Sequence, residues 1–330
     1  MLNPDLKLNE KILTETPDMA ATRDGYGEGL LELGEKNPNV VVLCADLTES
    51  TKSQQFAQKY PDRFFEVGVA EQNMAAIAAG LGASGKTAFI SSYATFSPGK
   101  NWETIRTTIV YNRSNVKIAG HHAGIMTGPD GATHQATEDI ASVRAWPGIE
   151  IYVPCDSQEA KKITVYSGQT DGPMYLRFSR DKTPIMTTVA TPFTPGKIQV
   201  FWKSETPQVS IFATGYILYQ AIIAAAELEK EGIQTEVINV ATIKPLDEQG
   251  ILELVNKTHA VVTVEDHQVT GGLGGALSEL FAKNLPTPME FIGLQNVFGE
   301  SGKPQELIEK YKMDKAAIKE AVKKVISRKK

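Results

Sequence analysis

Five histidines occur in the chain, and three of them, His121, His122 and His134, fall between Gly120 and Gln135 with Asp130 and several glycines. The segment follows a strand-like run, and ligands of open α/β sheets bind beyond the carboxyl ends of strands. A Gly-rich loop carrying His and Asp there suits proton transfer near neutral pH. The plain alternative is a turn-rich surface loop. A metal site is not read, because the spacing matches no common zinc-ligand pattern and no Cys is nearby. A second cluster runs from Phe65 to Ala76, where Glu71 opens an Ala-rich apolar helix. A carboxylate in the first turn favours the helix dipole. Apolar surroundings would instead favour its neutral form, which suits a proton donor to a ring nitrogen. The third cluster, Ser91 to Trp102, places Phe96 in a loop after a strand, before Pro98 and Gly99. An aromatic there either stacks on a planar ring or belongs to the core.

The elements that must carry these residues alternate. Strand-like runs are read at Val40–Cys44, Thr87–Ser91, Val116–Ala119, Ile149–Val153 and Met174–Leu176. Helical runs lie at Thr22–Asn37 (with Thr22 as cap), Glu71–Leu81, Trp102–Tyr111, Thr137–Arg144 and Ser157–Ser167. Alternation of this kind implies a mainly parallel sheet covered on both faces. Prolines and threonines then interrupt the pattern before it resumes with strands at Val209–Ala213, Thr235–Val240, Ala260–Glu265 and Met289–Gly293 and helices at Tyr219–Glu231, Asp247–Val255 and Leu273–Asn284, followed by a helical remainder. The expected organisation is a polar N-terminal arm over 1–20, an α/β domain over 21–185, a linker over 186–206 and a second α/β domain over 207–330. The fold class is α/β, two domains with mainly parallel sheets flanked by helices.

At 330 residues the chain is long enough for two domains. A net charge of -5 argues against nucleic acid as the main partner, since phosphate neutralisation needs clustered Lys and Arg. The run Lys323-Lys324 and Arg328-Lys329-Lys330 reads as a solvated helix end. No stretch approaches the roughly 20 apolar residues needed to span a bilayer, and the start has no charged-then-apolar signal pattern. Cys44 and Cys155 each end or follow an apolar run and read as buried thiols. The expected setting is cytoplasmic, without membrane contact.

Six motifs stand in order along the chain: Ala21-Thr22-Arg23, Ala45-Asp46-Leu47-Thr48, Val69-Ala70-Glu71-Gln72-Asn73-Met74, the Phe96 loop, Asp130-Gly131-Ala132-Thr133-His134-Gln135 and Phe178-Ser179-Arg180. Each is weak by itself. In this order they resemble the pyrimidine-binding and C-terminal domains of transketolases, over nearly the whole chain. The resemblance implies a thiamine-diphosphate-binding pyrimidine domain plus a transketolase C-terminal-like domain. It implies that Glu71 hydrogen-bonds N1' of the cofactor's aminopyrimidine, the proton sharing that lets the cofactor generate its own nucleophile. Phe96 would stack on that ring, with Trp102 and Asp46 beside the cofactor. Where many relatives place a second aromatic three residues after Phe96, this chain has Gly99, and Trp102 takes the position of a further aromatic. His134 fits the general acid/base on sugar hydroxyls, and Asp130 fits recognition of the donor's hydroxyl. Arg23, Ser50, His122 and Arg180 match positions that hold the sugar phosphate, for which the planar fork of Arg is suited.

A complete transketolase also carries a Gly-Asp-Gly motif that holds magnesium and the diphosphate. None occurs here; Asp130-Gly131 and Asp171-Gly172 are preceded by Pro and Thr. The resemblance therefore implies that Mg2+ (or Ca2+) and the diphosphate are held by an N-terminal transketolase subunit, in an α2β2 assembly of two of these chains and two partners. The polar start at Met1 favours a split enzyme over a cut fragment. Alternatives are half of a 1-deoxyxylulose-5-phosphate synthase, the beta subunit of a 2-oxo acid dehydrogenase, or a non-catalytic partner-binding protein with a retained fold. In the second domain, Gly271-Gly272-Leu273-Gly274-Gly275 opens a helix and serves either close packing or an anion. His267, at a strand end, has a minor reading at the rim of the site.

Overall fold

A computed structural model describes residues 1–329. Among the described residues fourteen strands form three sheets. In chain order they are β1 Met19–Ala21, β2 Val40–Cys44, β3 Phe64–Glu66, β4 Thr87–Tyr93, β5 Val116–His121, β6 Glu150–Tyr152, β7 Met174–Arg177, β8 Lys182–Pro184, β9 Gln199–Trp202, β10 Val209–Thr214, β11 Thr235–Asn239, β12 Thr242–Lys244, β13 Val261–Gln268 and β14 Met289–Leu294. The first large sheet has the order β12-β6-β7-β5-β4-β2-β3, parallel except for its β12 edge. The second has the order β14-β13-β10-β11-β9, parallel except for β9. A small ribbon pairs β1 with β8 antiparallel.

The central strands are continuous apolar or small-residue runs because both faces are covered. Every residue of β2 and β5 is buried. Helices α1 Thr22–Lys36, α2 Gln54–Lys59, α3 Glu71–Ala83, α4 Trp102–Thr104, α5 Asp139–Arg144 and α6 Ser157–Gln169 belong to the first half; α7 Leu218–Lys230, α8 Glu248–Thr258, α9 Leu273–Asn284, α10 Pro304–Lys310 and α11 Lys315–Ser327 belong to the second. One apolar core runs without interruption from Leu43, Ile90 and Ile118 of the first sheet to Phe212, Ile238 and Val261 of the second, which fixes the two halves against each other.

The predicted order of strands and helices is present, with differences at particular elements. The helix expected over Trp102–Tyr111 is one α-turn that widens into a π-helix over Ile105–Val110. Thr22 does not cap α1. It is the first helical residue, buried, with its hydroxyl against Ser179, and Ala21 holds the cap position with its N–H donating to the Asp24 carboxylate at 3.1 Å. β9 lies in the stretch read as linker, and β12 leaves the second half to pair with β6 of the first. The polar first residues pack along the second sheet: the Asn3 N–H donates to the Phe201 carbonyl at 2.8 Å, and Ile12 is fully buried.

Candidate active site

The parallel strands β2, β4, β5 and β7 end at one edge of the first sheet. Their loops meet the first turn of α1 there. Arg23 Nη1 donates to the Ser50 carbonyl at 2.7 Å and lies 3.3 Å from His122 Nε2. Ser50 thus enters through its backbone rather than its hydroxyl. His122, 1% exposed, has a positive φ of 51°, the turn that brings its ring back over the strand ends. Thr127 Oγ1 donates to the His122 carbonyl at 2.5 Å, and Arg180 Nη1 donates to the Thr127 carbonyl at 2.7 Å. Arg180 also lies 3.7 Å from Asp130. The four residues read as sugar-phosphate ligands, Arg23, Ser50, His122 and Arg180, therefore form one connected group with Asp130, read as the contact to the donor's hydroxyl.

Burial pushes the His122 imidazolium down to about 3, and the neighbouring charges of Arg23, Arg180 and His134 push the same way. Its ring is neutral at physiological pH beside two guanidiniums. Arg23 Nε and His122 Nδ1 are buried and have no hydrogen-bond partner among the described residues. Buried donors of this kind call for an acceptor, and two clustered guanidiniums select an anionic one.

An aromatic wall borders this group. The Tyr93 ring stands edge-on to His122 at 3.9 Å and stacks toward Phe96 at 6.0 Å. Phe96 meets His134 edge-to-face at 5.4 Å. His134 Nδ1 is 2.9 Å from Thr133 Oγ1. Tyr93 is not singled out by the sequence, where a Tyr ending a buried strand looks like any core residue; its signal is its place at the end of β4, three residues before Phe96.

Glu71 begins α3 and its side chain is 2% exposed. Its surroundings are not purely apolar, as the sequence suggested. Lys100 Nζ donates to Oε2 at 2.7 Å, and this contact spans residues too distant in sequence to be anticipated. Among the described residues Oε1 has no such partner. The Glu71 carbonyl accepts from Asn101 Nδ2 at 3.0 Å, which fastens the Phe96–Asn101 turn to α3. Trp102 is not brought to Phe96. Its indole N–H requires an acceptor and finds the Ser142 carbonyl at 3.0 Å, with the ring tilted on Trp146 at 5.1 Å. Asp46 is exposed with a positive φ of 59°, and its N–H donates to Glu66 at 2.7 Å; no contact joins its side chain to Phe96 or Glu71. Glu66 was missed, although it organises this loop by also accepting from Thr48 and Gly68.

In the second half, the N-terminus of α9 is occupied by the chain itself. The Glu265 carboxylate accepts from the N–H groups of Leu273 and Gly274 at 2.7 and 2.9 Å, and a Cβ at Gly272 would lie 2.0 Å from it. The glycines thus give close approach to an internal carboxylate. His267 is fully buried between the halves, not at a rim, with Nε2 accepting from the Ala141 N–H at 3.3 Å. Cys44 and Cys155 are buried free thiols, and burial pushes both up from the usual thiol range. Among the described residues no group of three or more His, Cys, Asp and Glu could hold a metal ion, and no helix is long and apolar enough to cross a membrane.

Two family models match this chain: the transketolase pyrimidine binding domain over residues 18–186 and the transketolase C-terminal domain over residues 197–318. The chain belongs to the transketolase family. It is 44% identical over 300 residues to a putative transketolase C-terminal section of Methanocaldococcus jannaschii, covering 90% of this chain and 93% of that one. It is 38% identical over 307 residues to a 6-deoxy-6-sulfo-D-fructose transketolase subunit of a Clostridium species, covering 93% and 95%. A solved structure described as a split gene transketolase, inactive beta4 tetramer, matches with a TM-score of 0.87 at 42% identity over 94% of this chain and 99% of that one. The two large sheets thus centre the two transketolase domains, with β12 of the second added to the sheet of the first, and the family implies dependence on thiamine diphosphate. The residues here fit the aminopyrimidine end of that group: a buried carboxylate with a free oxygen and, fastened to it through Asn101, a loop carrying the Phe96 ring.

Proposed function

We propose that this chain is the C-terminal subunit of a transketolase that moves a two-carbon ketol unit from a ketose phosphate to an aldose phosphate, active only with an N-terminal subunit. The observation that carries the reading is the connected group of Arg23, His122 and Arg180, with buried donors lacking partners beside the Tyr93–Phe96–His134 wall. Arg23 and Arg180 hold the phosphate, and neutral His122 adds a hydrogen bond without requiring a proton. Asp130 orients the donor's hydroxyl, with Arg180 steadying its carboxylate. His134 gives and takes protons at the sugar hydroxyls. Glu71 shares a proton with the pyrimidine N1', and Phe96 stacks on that ring. Bound thiamine diphosphate supplies the carbon nucleophile. The partner, which carries the Gly-Asp-Gly motif absent here, holds Mg2+ and the diphosphate in an α2β2 assembly. A solved relative described as inactive in its beta4 form supports the need for a second polypeptide. The cytoplasmic setting belongs to the same reading.

The test is to mix the chain with its N-terminal partner, thiamine diphosphate and Mg2+, and to supply xylulose 5-phosphate with ribose 5-phosphate or, separately, pyruvate. Turnover of the sugar pair is expected. Consumption of pyruvate alone would point to a synthase or dehydrogenase half, and turnover by the lone chain would remove the partner from the scheme.

A further inference from the structure

Among the described residues no hydrogen bond or ion pair joins the second half to the side chains of Arg23, His122, His134 or Arg180, yet the second half holds the loop that links His122 to Arg180. Asp266 stands on β13, 2% exposed. Its Oδ1 accepts the Ile125 N–H at 3.0 Å and its Oδ2 accepts the Tyr216 hydroxyl at 2.7 Å. Gly124 has a φ of 78°, and a Cβ there would lie 2.0 Å from Asp266 Oδ2, so glycine is what admits the carboxylate to this loop. Thr127 follows within the same turn and touches both His122 and Arg180. The far side of the loop rests on the segment before α10. Ser301 Oγ donates to the Pro129 carbonyl at 2.5 Å, and Gln135 Nε2 donates to the carbonyls of Glu300 at 2.9 Å and Gly128 at 3.2 Å.

A buried carboxylate is a costly way to gain stability alone, because desolvation of the charge offsets much of what its hydrogen bonds contribute. Its two acceptor bonds are directional instead, and they specify where one loop amide sits. We infer that Asp266 is a positioning residue: it seats the Gly124–Gly131 loop on the second domain, and so sets Thr127 between His122 and Arg180 and places Asp130 over the donor. The inference rests on the sugar-phosphate reading for its kinetic arm only.

The test compares the full chain, Asp266→Ala and Asp266→Asn, alone and with the N-terminal partner. Hydrogen exchange of the chain alone should rise by about tenfold or more at amides 125–131 in Asp266→Ala and stay unchanged in α3, since one charge-assisted bond is lost. In the complex the KM for xylulose 5-phosphate should rise about tenfold while the apparent affinity for thiamine diphosphate stays within about twofold. Asp266→Asn keeps an acceptor for Ile125 and should recover most of both. Unchanged exchange, exchange raised throughout the chain, a loosened loop with an unchanged KM, or equal losses in donor and cofactor binding would each overturn the inference. If Asp266→Ala does not fold, Ser301→Ala removes the exposed half of the support. Faster exchange confined to the loop, with a raised donor KM, is then expected, and no change in either overturns it. A wild-type complex inert toward sugar phosphates would instead refute the proposed function, and the exchange arm would still decide whether Asp266 seats the loop.

Discussion

Replacing Arg23 by Ala tests the anion site where its geometry is most specific. Arg23 Nη1 is already engaged by the Ser50 carbonyl and approaches His122, whereas Nε is buried and without a partner. A hydrogen bond to a charged group contributes about 1.5–3 kcal/mol, so its loss should raise the KM for a ketose phosphate about 10- to 150-fold. The same donor without its phosphate should show no comparable change. Arg23→Lys keeps the charge but loses the planar fork, and should fall between wild type and Arg23→Ala. Combining Arg23→Ala with Arg180→Ala should cost less than the two single effects together, since both side chains serve one group. Removing Arg23 also removes the largest neighbouring charge that opposes protonation of His122. The His122 ring should then titrate above its wild-type position near 3, still held low by burial. Steady-state kinetics on phosphorylated and unphosphorylated donors, with an NMR titration of the histidines, reads all of this. Equal losses on both donors, or an unchanged KM, would refute the phosphate role.

Three further outcomes are expected. Glu71→Ala should lower turnover of the reconstituted complex by about 100-fold or more, the scale of a lost proton-sharing group, while assembly measured by light scattering persists; unchanged turnover would reject the mechanism. Asp139 pairs with Arg177 at 2.8 Å in the buried seam between the halves and also accepts from Tyr175, so Asp139→Ala leaves a buried guanidinium unpaired and should destabilise the chain by about 3–5 kcal/mol in urea unfolding. Burial, with the charge of Asp156, pushes the buried Glu159 carboxyl up to about 7. Because its folded value lies above its unfolded one, stability is full below the unfolded value and falls as pH rises through about 7, by about 3 kcal/mol at most; Glu159→Gln should flatten the profile of unfolding midpoint between pH 5 and pH 8.

Much of the fold was legible because its signals are local. The run Val40–Cys44 reads as a buried strand, and the alternation of helical with strand-like runs marks α6 and α9. Short elements were illegible for the same reason. Three-residue strands such as Thr242–Lys244 carry no periodicity, and only the partner edge of β6 makes them strands. Within the site, Phe96, His134 and Asp130 stood out by type in loops after strands, and Glu71 as a carboxylate opening an apolar helix. Lys100 and Tyr93 did not, because neither a surface lysine nor a strand-end tyrosine announces its neighbour.

The order of residues along the chain determined the parallel architecture, the crowding of motifs at strand ends and the absence of a Gly-Asp-Gly motif. These are properties of neighbours in sequence, where period and residue type suffice. Tertiary structure alone decided that Arg23 meets His122, that Trp102 turns to Ser142 instead of Phe96, that Glu265 fills the α9 terminus, and that Asp266 reaches back to Ile125. All but the Glu265 contact join residues 40 or more positions apart. Hydrogen bonds and ion pairs act over a few ångströms, and only the packed sheets bring such groups within that range.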